Sequence, residues 1–180
     1  MPFDGRIHLV LGCMFSGKTT ELLRQYRRFT LAHRKCLLVK HASDTRFDEM
    51  CITSHDGEKA HALAVQRLAD VDQDLVEAAD VICVDEVQFY DDCDVVCEAW
   101  ANAGKIVVAA GLVATYKRQE WPNVSRLIAK AETVTRLSAV CSECKEDAFF
   151  THRTNTNTEN LVGGSEDYES LCRKCWMKKT

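Results

Sequence analysis

The chain has 180 residues, of which 46% are apolar and 28% are charged, and its formal net charge is −4. This length suits one main domain with a small appendage and is sufficient to bury a core. The negative balance argues against a protein that holds nucleic acid by broad phosphate neutralisation, because that mode needs clustered Lys and Arg side chains. The sequence has neither an apolar run near the roughly 18 residues of a membrane helix nor a signal-peptide pattern. We therefore expect a soluble, cytoplasmic protein.

The first predicted element is a buried strand at Ile7 to Leu11, which runs into the sequence GCMFSGKT at 12–19. This sequence matches the pattern G-x-x-x-x-G-K-[ST], and apolar residues at helical spacing follow it, so the strand-to-helix context is correct. The glycines permit tight turns that aim backbone N–H groups at phosphate oxygens, and the threonine hydroxyl is a candidate Mg²⁺ ligand. We expect the phosphates of ATP to bind at Gly12, Ser16, Gly17, Lys18 and Thr19, and Mg²⁺ to bind at Thr19.

Three more apolar runs are predicted as buried strands, at Cys36 to Val39, Val81 to Val84 and Ile106 to Ala110. A helical face from Val95 to Ala103 precedes Gly104, which occupies the position typical of a residue just past a helix end. Strands that alternate with amphipathic helices predict an α/β fold, a parallel sheet of the phosphate-loop NTPase type flanked by helices. Ligands of such sheets bind at the carboxyl ends of the strands.

Two carboxylates, Asp85 and Glu86, directly follow the third apolar run. We expect Asp85 to face the phosphate loop and to hold Mg²⁺, directly or through water. Glu86 would point elsewhere, and such a residue positions water in an ATPase or accepts a proton from an acceptor hydroxyl in a small-molecule kinase. Two solvated surface acids are the alternative, which the adjacent phosphate loop makes the less favoured one.

Four of the ten cysteines form two C-x-x-C pairs, separated by 27 residues: Cys141, Cys144, Cys172 and Cys175. Four thiolates can close a tetrahedral Zn²⁺ shell, and a closed shell has a structural role because it leaves no position for water or substrate. A redox pair is the alternative, but it needs a thioredoxin-like context that the sequence lacks. We expect a kinase core over residues 1–140 and a zinc-binding subdomain over 141–180.

Several short sequences follow one another in the order of a known family. They are the Met-Phe-Ser core of the phosphate loop, Asp44-Thr45-Arg46, Asp85-Glu86-x-Gln88-Phe89, Ala139-Val140-Cys141-x-x-Cys144, Gly163-Gly164 and Tyr168. On these residues the chain resembles the type II thymidine kinases, which are cytosolic, zinc-containing deoxynucleoside kinases. The resemblance extends over almost the whole chain and is more specific than a phosphate loop alone.

The resemblance implies ATP-dependent phosphorylation of the 5′-hydroxyl of thymidine, and also of deoxyuridine. It implies that Glu86 is the catalytic base and that Arg46 is a cation beside the phosphates. The segment between the cysteine pairs resembles the family's lasso loop, whose backbone reads the edge of the base. The residues that it implies for the nucleoside site are Met14, Gln88, Phe89, Leu112, Tyr116, Trp121, Thr151, Leu161, Val162, Gly163 and Tyr168. A homotetramer and feedback inhibition by thymidine triphosphate are further implications.

Two aromatic positions depart from the family, since Tyr116 and Trp121 stand where many members have Phe. The rival function is a zinc ribbon that binds nucleic acid and uses ATP as a conformational switch. The acidic balance and the lack of a basic strand face with interspersed aromatic residues argue against it. A structural zinc protein with a vestigial nucleotide loop is a third, weaker alternative.

Overall fold

The computed structural model describes residues 4–43, 51–53, 59–155 and 167–179. Within them the strands are β1 (Arg6–Gly12), β2 (Cys36–His41), β3 (Cys51–Thr53), β4 (Lys59–His61), β5 (Leu63–Val65), β6 (Val81–Val84), β7 (Ile106–Leu112), β8 (Thr133–Leu137), β9 (Ala139–Val140), β10 (Asp147–Ala148), β11 (Phe150–Arg153) and β12 (Tyr168–Leu171). The helices are α1 (Lys18–Leu31), α2 (Gln73–Ala78), α3 (Cys93–Asn102), α4 (Pro122–Ile128) and α5 (Arg173–Lys179), and 3₁₀ turns occupy Leu68–Asp70 and Val87–Phe89.

The main sheet has six strands in the order β5-β2-β6-β7-β1-β8, and every neighbouring pair in it is parallel. This confirms the predicted α/β fold with a parallel sheet. All four residues of β6 are buried, as are the first six residues of β7. These strands are covered on both faces, which explains why they read as continuous apolar runs in the sequence.

Helices cover the two faces of the sheet with separate apolar cores. Alternate residues of a strand point to opposite faces, so Ile82 and Val84 join one core while Val81 and Cys83 join the other. The first core includes residues of α3 and α4, and the second includes Leu22 of α1. The parallel arrangement therefore brings the carboxyl ends of β1, β2, β6 and β7 to one edge of the sheet, where the loops carry the candidate site residues.

The structure differs from the sequence prediction mainly at the two edge strands of the main sheet, β5 and β8, which lie outside the four predicted strands. Strand β5 pairs with β2, and β8 pairs with β1. The first four residues of β8, Thr133 to Arg136, are exposed, so no buried apolar run marks them. Helix α3 and its end were predicted correctly, since Gly104 has a φ of 87° just beyond it. The predicted face was wrong in part, because Val95 is 62% exposed and the apolar residues that the helix buries are Cys93, Cys97, Trp100 and Ala101.

The C-terminal residues form a small unit with two short antiparallel pairs, β9–β10 and β11–β12, and helix α5. Their own apolar core contains Leu171 and Trp176, and it also contains Cys13 of the phosphate loop. The division of the chain at residue 140 stays a prediction. Strand β9 lies before this boundary and pairs with β10, which lies after it. No helix in the described part of the chain combines the length and apolar content needed to cross a membrane.

Candidate active site

The phosphate loop joins β1 to α1, and its glycines are required by geometry. Gly17 has a φ of 79°, a left-handed conformation that a side chain makes costly. A Cβ atom on Gly12 would clash with the Ser16 Oγ atom and would lie 3.0 Å from the Leu137 carbonyl oxygen. Both positions therefore need glycine, and the loop leads directly into the N-terminus of a 14-residue helix, where anions bind.

Two polar side chains of this loop converge on one backbone carbonyl. Ser16 Oγ donates a hydrogen bond to the Cys13 carbonyl oxygen at 2.9 Å, and Lys18 Nζ donates to the same oxygen at 2.8 Å. Both side chains are buried, with 9% of each residue exposed. The lysine charge is thus held over the loop, where a point charge can meet phosphate oxygens.

The loop also docks on the C-terminal unit. The Met14 N–H donates to Thr151 Oγ1 at 3.0 Å, and the Cys13 thiol donates to the Ala148 carbonyl oxygen at 3.5 Å. Burial raises the pKa of the Cys13 thiol, so the thiol is the neutral donor in this contact. The strands next to the cysteine cluster therefore hold the first half of the phosphate loop and bring together Met14 and Thr151, which the resemblance places in one site.

Thr19 and Asp85 lie together where the loop meets the end of β6. Thr19 Oγ1 donates to Asp85 Oδ2 at 3.1 Å, and the Glu86 N–H donates to Asp85 Oδ1 at 3.0 Å. Burial, with the adjacent negative charge of Glu86, raises the pKa of Asp85 from 3.8 to about 7. A hydroxyl beside a carboxylate at the phosphate loop suits Mg²⁺, and a divalent cation would favour the ionised carboxylate.

Glu86 occupies a strained position that fixes the direction of its side chain. Its φ of 50° is left-handed, and for a residue other than glycine this costs about 1–2 kcal/mol. Such strain is concentrated at functional sites. Glu86 Oε2 accepts a hydrogen bond of 2.7 Å from Gln88 Nε2, and Gln88 Oε1 accepts one of 2.9 Å from the Leu112 N–H. The end of β7 thereby sets the position of the Glu86 carboxylate.

Gly111 leaves the space that the Gln88 amide needs. A Cβ atom at position 111 would lie 2.5 Å from Gln88 Oε1 and 2.7 Å from Val87 Cγ1. Gln88 is only 2% exposed, so its amide has little room to move aside. The sequence marked Gly111 as the residue at a strand end, and the structure supplies the reason for glycine there.

The predicted nucleoside residues fall into small contacting groups. Besides the Gln88–Leu112 and Met14–Thr151 pairs, the Phe89 and Trp121 rings meet edge to face with centroids 6.1 Å apart. Tyr116 and Tyr168 are joined through Arg153, whose guanidinium lies 4.2 Å from the Tyr116 ring centroid and donates to the Tyr168 hydroxyl. The remaining predicted site residues, Arg46, Leu161, Val162 and Gly163, lie outside the described residues.

Sequence reasoning missed two residues in these groups, His41 and Arg153. The His41 ring lies at the end of β2 with its centroid 5.8 Å from that of Phe89. Arg153 is 7% exposed and lies two residues after Thr151 on β11, so the two share a buried side of that strand. The alternation of a strand could have indicated Arg153, whereas a single histidine after a strand gives no such signal.

The four cysteines of the two C-x-x-C pairs form one cluster. Their sulfur atoms all lie within 4.8 Å of one another, and the sulfurs of Cys144 and Cys172 are 3.6 Å apart. A tetrahedral shell with Zn–S bonds of about 2.3 Å has sulfurs about 3.8 Å apart, so the cluster fits one such ion. The Cys172 N–H donates to the Cys141 sulfur at 3.3 Å. Burial raises the pKa of the Cys141 thiol, but such backbone hydrogen bonds outweigh this effect and lower the pKa to about 6.

Comparisons with known proteins agree with one another. The sequence model of the family described as thymidine kinase matches residues 5–176. The chain is 45% identical over 176 residues to cytosolic thymidine kinase of Homo sapiens, covering 97% of this chain and 74% of that one. It is 42% identical over 176 residues to the thymidine kinase of Myxoma virus (strain Lausanne), covering 97% and 98%.

The fold has a match among solved structures of more distant sequence. The flagellar accessory protein FlaH from Methanocaldococcus jannaschii aligns with a TM-score of 0.54, covering 87% of this chain and 75% of that one. The two sequences are 11% identical, so this likeness concerns the fold alone.

Proposed function

Because the chain belongs to the thymidine kinase family, we propose that it transfers the γ-phosphoryl group of ATP to the 5′-hydroxyl of thymidine with Glu86 as catalytic base. Family membership itself gives the activity, phosphorylation of thymidine in nucleotide salvage. The detailed assignment depends mainly on one observation: the Glu86 carboxylate is held by Gln88 immediately after Asp85, which contacts Thr19 of the phosphate loop.

On the donor side, we assign the triphosphate to the loop residues Gly12, Ser16, Gly17, Lys18 and Thr19. Lys18 supplies positive charge where negative charge is transferred, and the backbone N–H groups at the start of α1 bind phosphate oxygens. Thr19 and Asp85 would hold Mg²⁺, which neutralises phosphate charge when it is bound. By resemblance to the family, Arg46 is a second cation beside the phosphates.

On the acceptor side, Glu86 accepts the proton of the 5′-hydroxyl as the oxygen attacks the γ-phosphorus in line with the leaving group. The hydrogen bond from Gln88 to Oε2 holds the Glu86 carboxylate in place as it accepts this proton. The aromatic pair of Phe89 and Trp121 is assigned to pack on the base. The strain at Glu86 is consistent with a side chain that must point in one direction.

The remaining nucleoside residues complete this proposal. Met14, Leu112, Tyr116, Thr151 and Tyr168 are assigned to the same site, and the backbone at Leu161, Val162 and Gly163 to the edge of the base. Arg153 supports two of the rings, since it contacts both Tyr116 and Tyr168. The site is expected to accept deoxyuridine, which lacks only the methyl group of thymidine.

Family membership supports the remaining proposals. We assign a structural zinc ion to the four-cysteine cluster, and we divide the chain into a kinase core (1–140) and a zinc-binding subdomain (141–180). A cytoplasmic homotetramer that is inhibited by thymidine triphosphate follows from the same resemblance. Size-exclusion chromatography with light scattering, and inhibition of thymidine phosphorylation by the triphosphate, test the last two assignments.

The direct test measures ADP release with ATP alone and with each of three nucleosides. Thymidine and 3′-deoxythymidine should stimulate release strongly, whereas 5′-deoxythymidine should not, because it lacks the attacking hydroxyl. Single-stranded DNA without nucleoside is the control for the rival function, a nucleic-acid-binding ribbon. Release that responds to DNA and ignores thymidine would overturn the proposal, and turnover of 5′-deoxythymidine would overturn the position of transfer.

A further inference from the structure

Asn123, in the first turn of α4, makes two hydrogen bonds to the turn that follows Glu86. Its Nδ2 atom donates to the Gln88 carbonyl oxygen at 3.0 Å and to the Tyr90 carbonyl oxygen at 2.8 Å. A side-chain amide nitrogen carries two hydrogens, so both of its donors are used on this turn. Asn123 is 7% exposed, and these bonds are therefore formed away from water.

The turn that follows Glu86 has few backbone hydrogen bonds of its own, so side-chain hydrogen bonds contribute to its stability. The Phe89 N–H donates to the Glu86 carbonyl oxygen at 3.0 Å, and the Tyr90 N–H donates to that of Val87 at 3.3 Å. These are the bonds of a single 3₁₀ turn, whose hydrogen-bond geometry is poorer than that of an α-helix. The Tyr90 carbonyl oxygen also accepts a hydrogen bond from the Cys93 N–H at 3.2 Å. The Asn123 amide adds a second bond there and one to the Gln88 carbonyl oxygen, and it therefore stabilises the conformation in which both carbonyls reach it.

Helix α4, which carries Asn123, is itself held by contacts with α3 and with the apolar core. Arg126 makes two hydrogen bonds to Asp94 of α3, at 2.9 and 3.3 Å, and Val124 and Leu127 are buried in the core beneath the sheet. Lys130, just beyond the helix, forms an ion pair of 2.7 Å with Glu98. These contacts of α4 with α3 and with the core help to set the position of Asn123, and they lie apart from the phosphate loop.

We propose that Asn123 is a positioning residue for phosphoryl transfer, which holds the 86–90 turn so that Gln88 and Glu86 keep their mutual orientation. Glu86 and Gln88 project from the same turn, and the hydrogen bond between their side chains is 2.7 Å long. A shift of this backbone would therefore move the carboxylate and its partner together. The inference depends on the proposed role of Glu86 as base.

The isosteric change Asn123→Asp tests this role. It keeps the volume but replaces the donating NH₂ group by an oxygen that faces two carbonyl oxygens. Since a displacement of about 1 Å can reduce a rate by about 10²-fold, we expect kcat to fall by about 10–100-fold. The KM for ATP should stay within about twofold, because the phosphate loop lies on a different connection of the sheet. Asn123→Ser, which retains one donor, should have a higher kcat than Asn123→Asp. It replaces Asn123→Asp in the test if Asn123→Asp does not fold.

Arg126→Met is the matched control, since it loosens the same helix without contact to the turn. Both variants should lower the melting temperature, but at a temperature well below both transitions only the position-123 variants should lose kcat. Equal kcat losses in Asn123→Asp and Arg126→Met, or an unchanged kcat in Asn123→Asp, would overturn the inference and leave Asn123 a structural residue.

The double variant Glu86→Gln/Asn123→Asp separates this inference from the proposed function. If Asn123 acts through Glu86, the second change should lower the kcat of Glu86→Gln by less than about threefold. A full additional loss would mean that Asn123 acts independently of Glu86 and would overturn the inference. If Glu86→Gln alone keeps its rate, the base assignment fails, and the positioning role that depends on it fails with it.

Discussion

Substitution of Gly111 by alanine should displace the Gln88 side chain, which holds the Glu86 carboxylate. The added Cβ would lie 2.5 Å from Gln88 Oε1, whereas ordinary contacts are about 3.5–4 Å, so the amide must move by about 1 Å. That movement breaks or distorts two hydrogen bonds, from the Leu112 N–H to Gln88 and from Gln88 to Glu86. A second close contact, 2.7 Å to Val87 Cγ1, adds overpacking in the core.

We estimate the cost to stability at about 1–3 kcal/mol, the usual range for overpacking and for buried hydrogen bonds that are lost. For a protein of this size this corresponds to a melting temperature lowered by about 3–9 °C. The displacement of the Glu86 carboxylate should lower kcat by about 10–100-fold. Thermal denaturation and ADP release at saturating ATP and thymidine measure the two effects.

Gly104→Ala provides the control for a purely structural effect. Gly104 also requires a left-handed φ, at 87°, so alanine there should destabilise the protein by about 1 kcal/mol. It lies at the end of α3, away from Glu86, and kcat measured well below the transition should not change. If Gly111→Ala keeps kcat within about twofold of wild type while lowering stability, the argument that Gln88 positions Glu86 is refuted.

Three further predictions address the phosphate loop, the cysteine cluster and the buried carboxyl group. Lys18→Ala should lower kcat by at least about 10²-fold with native circular dichroism, because it removes charge stabilisation of the transferred group; retained activity would contradict the donor assignment. Cys172→Ser should lower the zinc content from about one ion per chain toward zero and raise the KM for thymidine strongly. The KM for ATP should also rise, since Thr151 and Ala148 contact the phosphate loop. Unaltered KM values for thymidine and ATP would show that the cysteine cluster does not support either substrate site. Asp85 has a pKa of about 7 when folded and 3.8 as its ordinary value, so the folded protein binds more protons in this interval and loses stability as pH rises through it. Without Mg²⁺ or nucleotide, the melting temperature of Asp85→Asn relative to that of wild type should therefore increase from about pH 5 to about pH 8. A difference in melting temperature that does not change with pH would contradict the raised pKa.

The parts of the fold that the sequence predicted are those whose burial leaves a local pattern. Strand β6 is enclosed on both faces, and its four apolar residues were predicted with the correct bounds. Strand β8 has one neighbour and exposed residues, so tertiary pairing with β1 defines it and no run of apolar residues does. Strand prediction from a single sequence therefore succeeded in the centre of the sheet and failed at its edge.

The same distinction applies to the candidate site. The contact of Gln88 with Glu86 spans two residues and belongs to one short signature, so it could be predicted from the resemblance. Other contacts join residues that are distant in sequence. Thr151 and Met14 are 137 positions apart, and Asn123 and Gln88 are 35 positions apart. A polar side chain that supports a distant backbone group has no periodicity and no characteristic neighbour in sequence, and only the folded structure reveals it.

The proposed mechanism requires that Glu86 accepts the proton of the thymidine 5′-hydroxyl. The most direct test compares wild type and Glu86→Gln by the formation of thymidine 5′-monophosphate from ATP labelled in the γ-phosphate, with thymidine binding measured separately by calorimetry. Glutamine keeps the size of the side chain and can still meet Gln88, but it cannot accept the proton. We predict that kcat falls by about 10²–10⁴-fold while the Kd for thymidine changes by less than about threefold. A Glu86→Gln enzyme that turns over at a near wild-type rate would show that Glu86 is not the base.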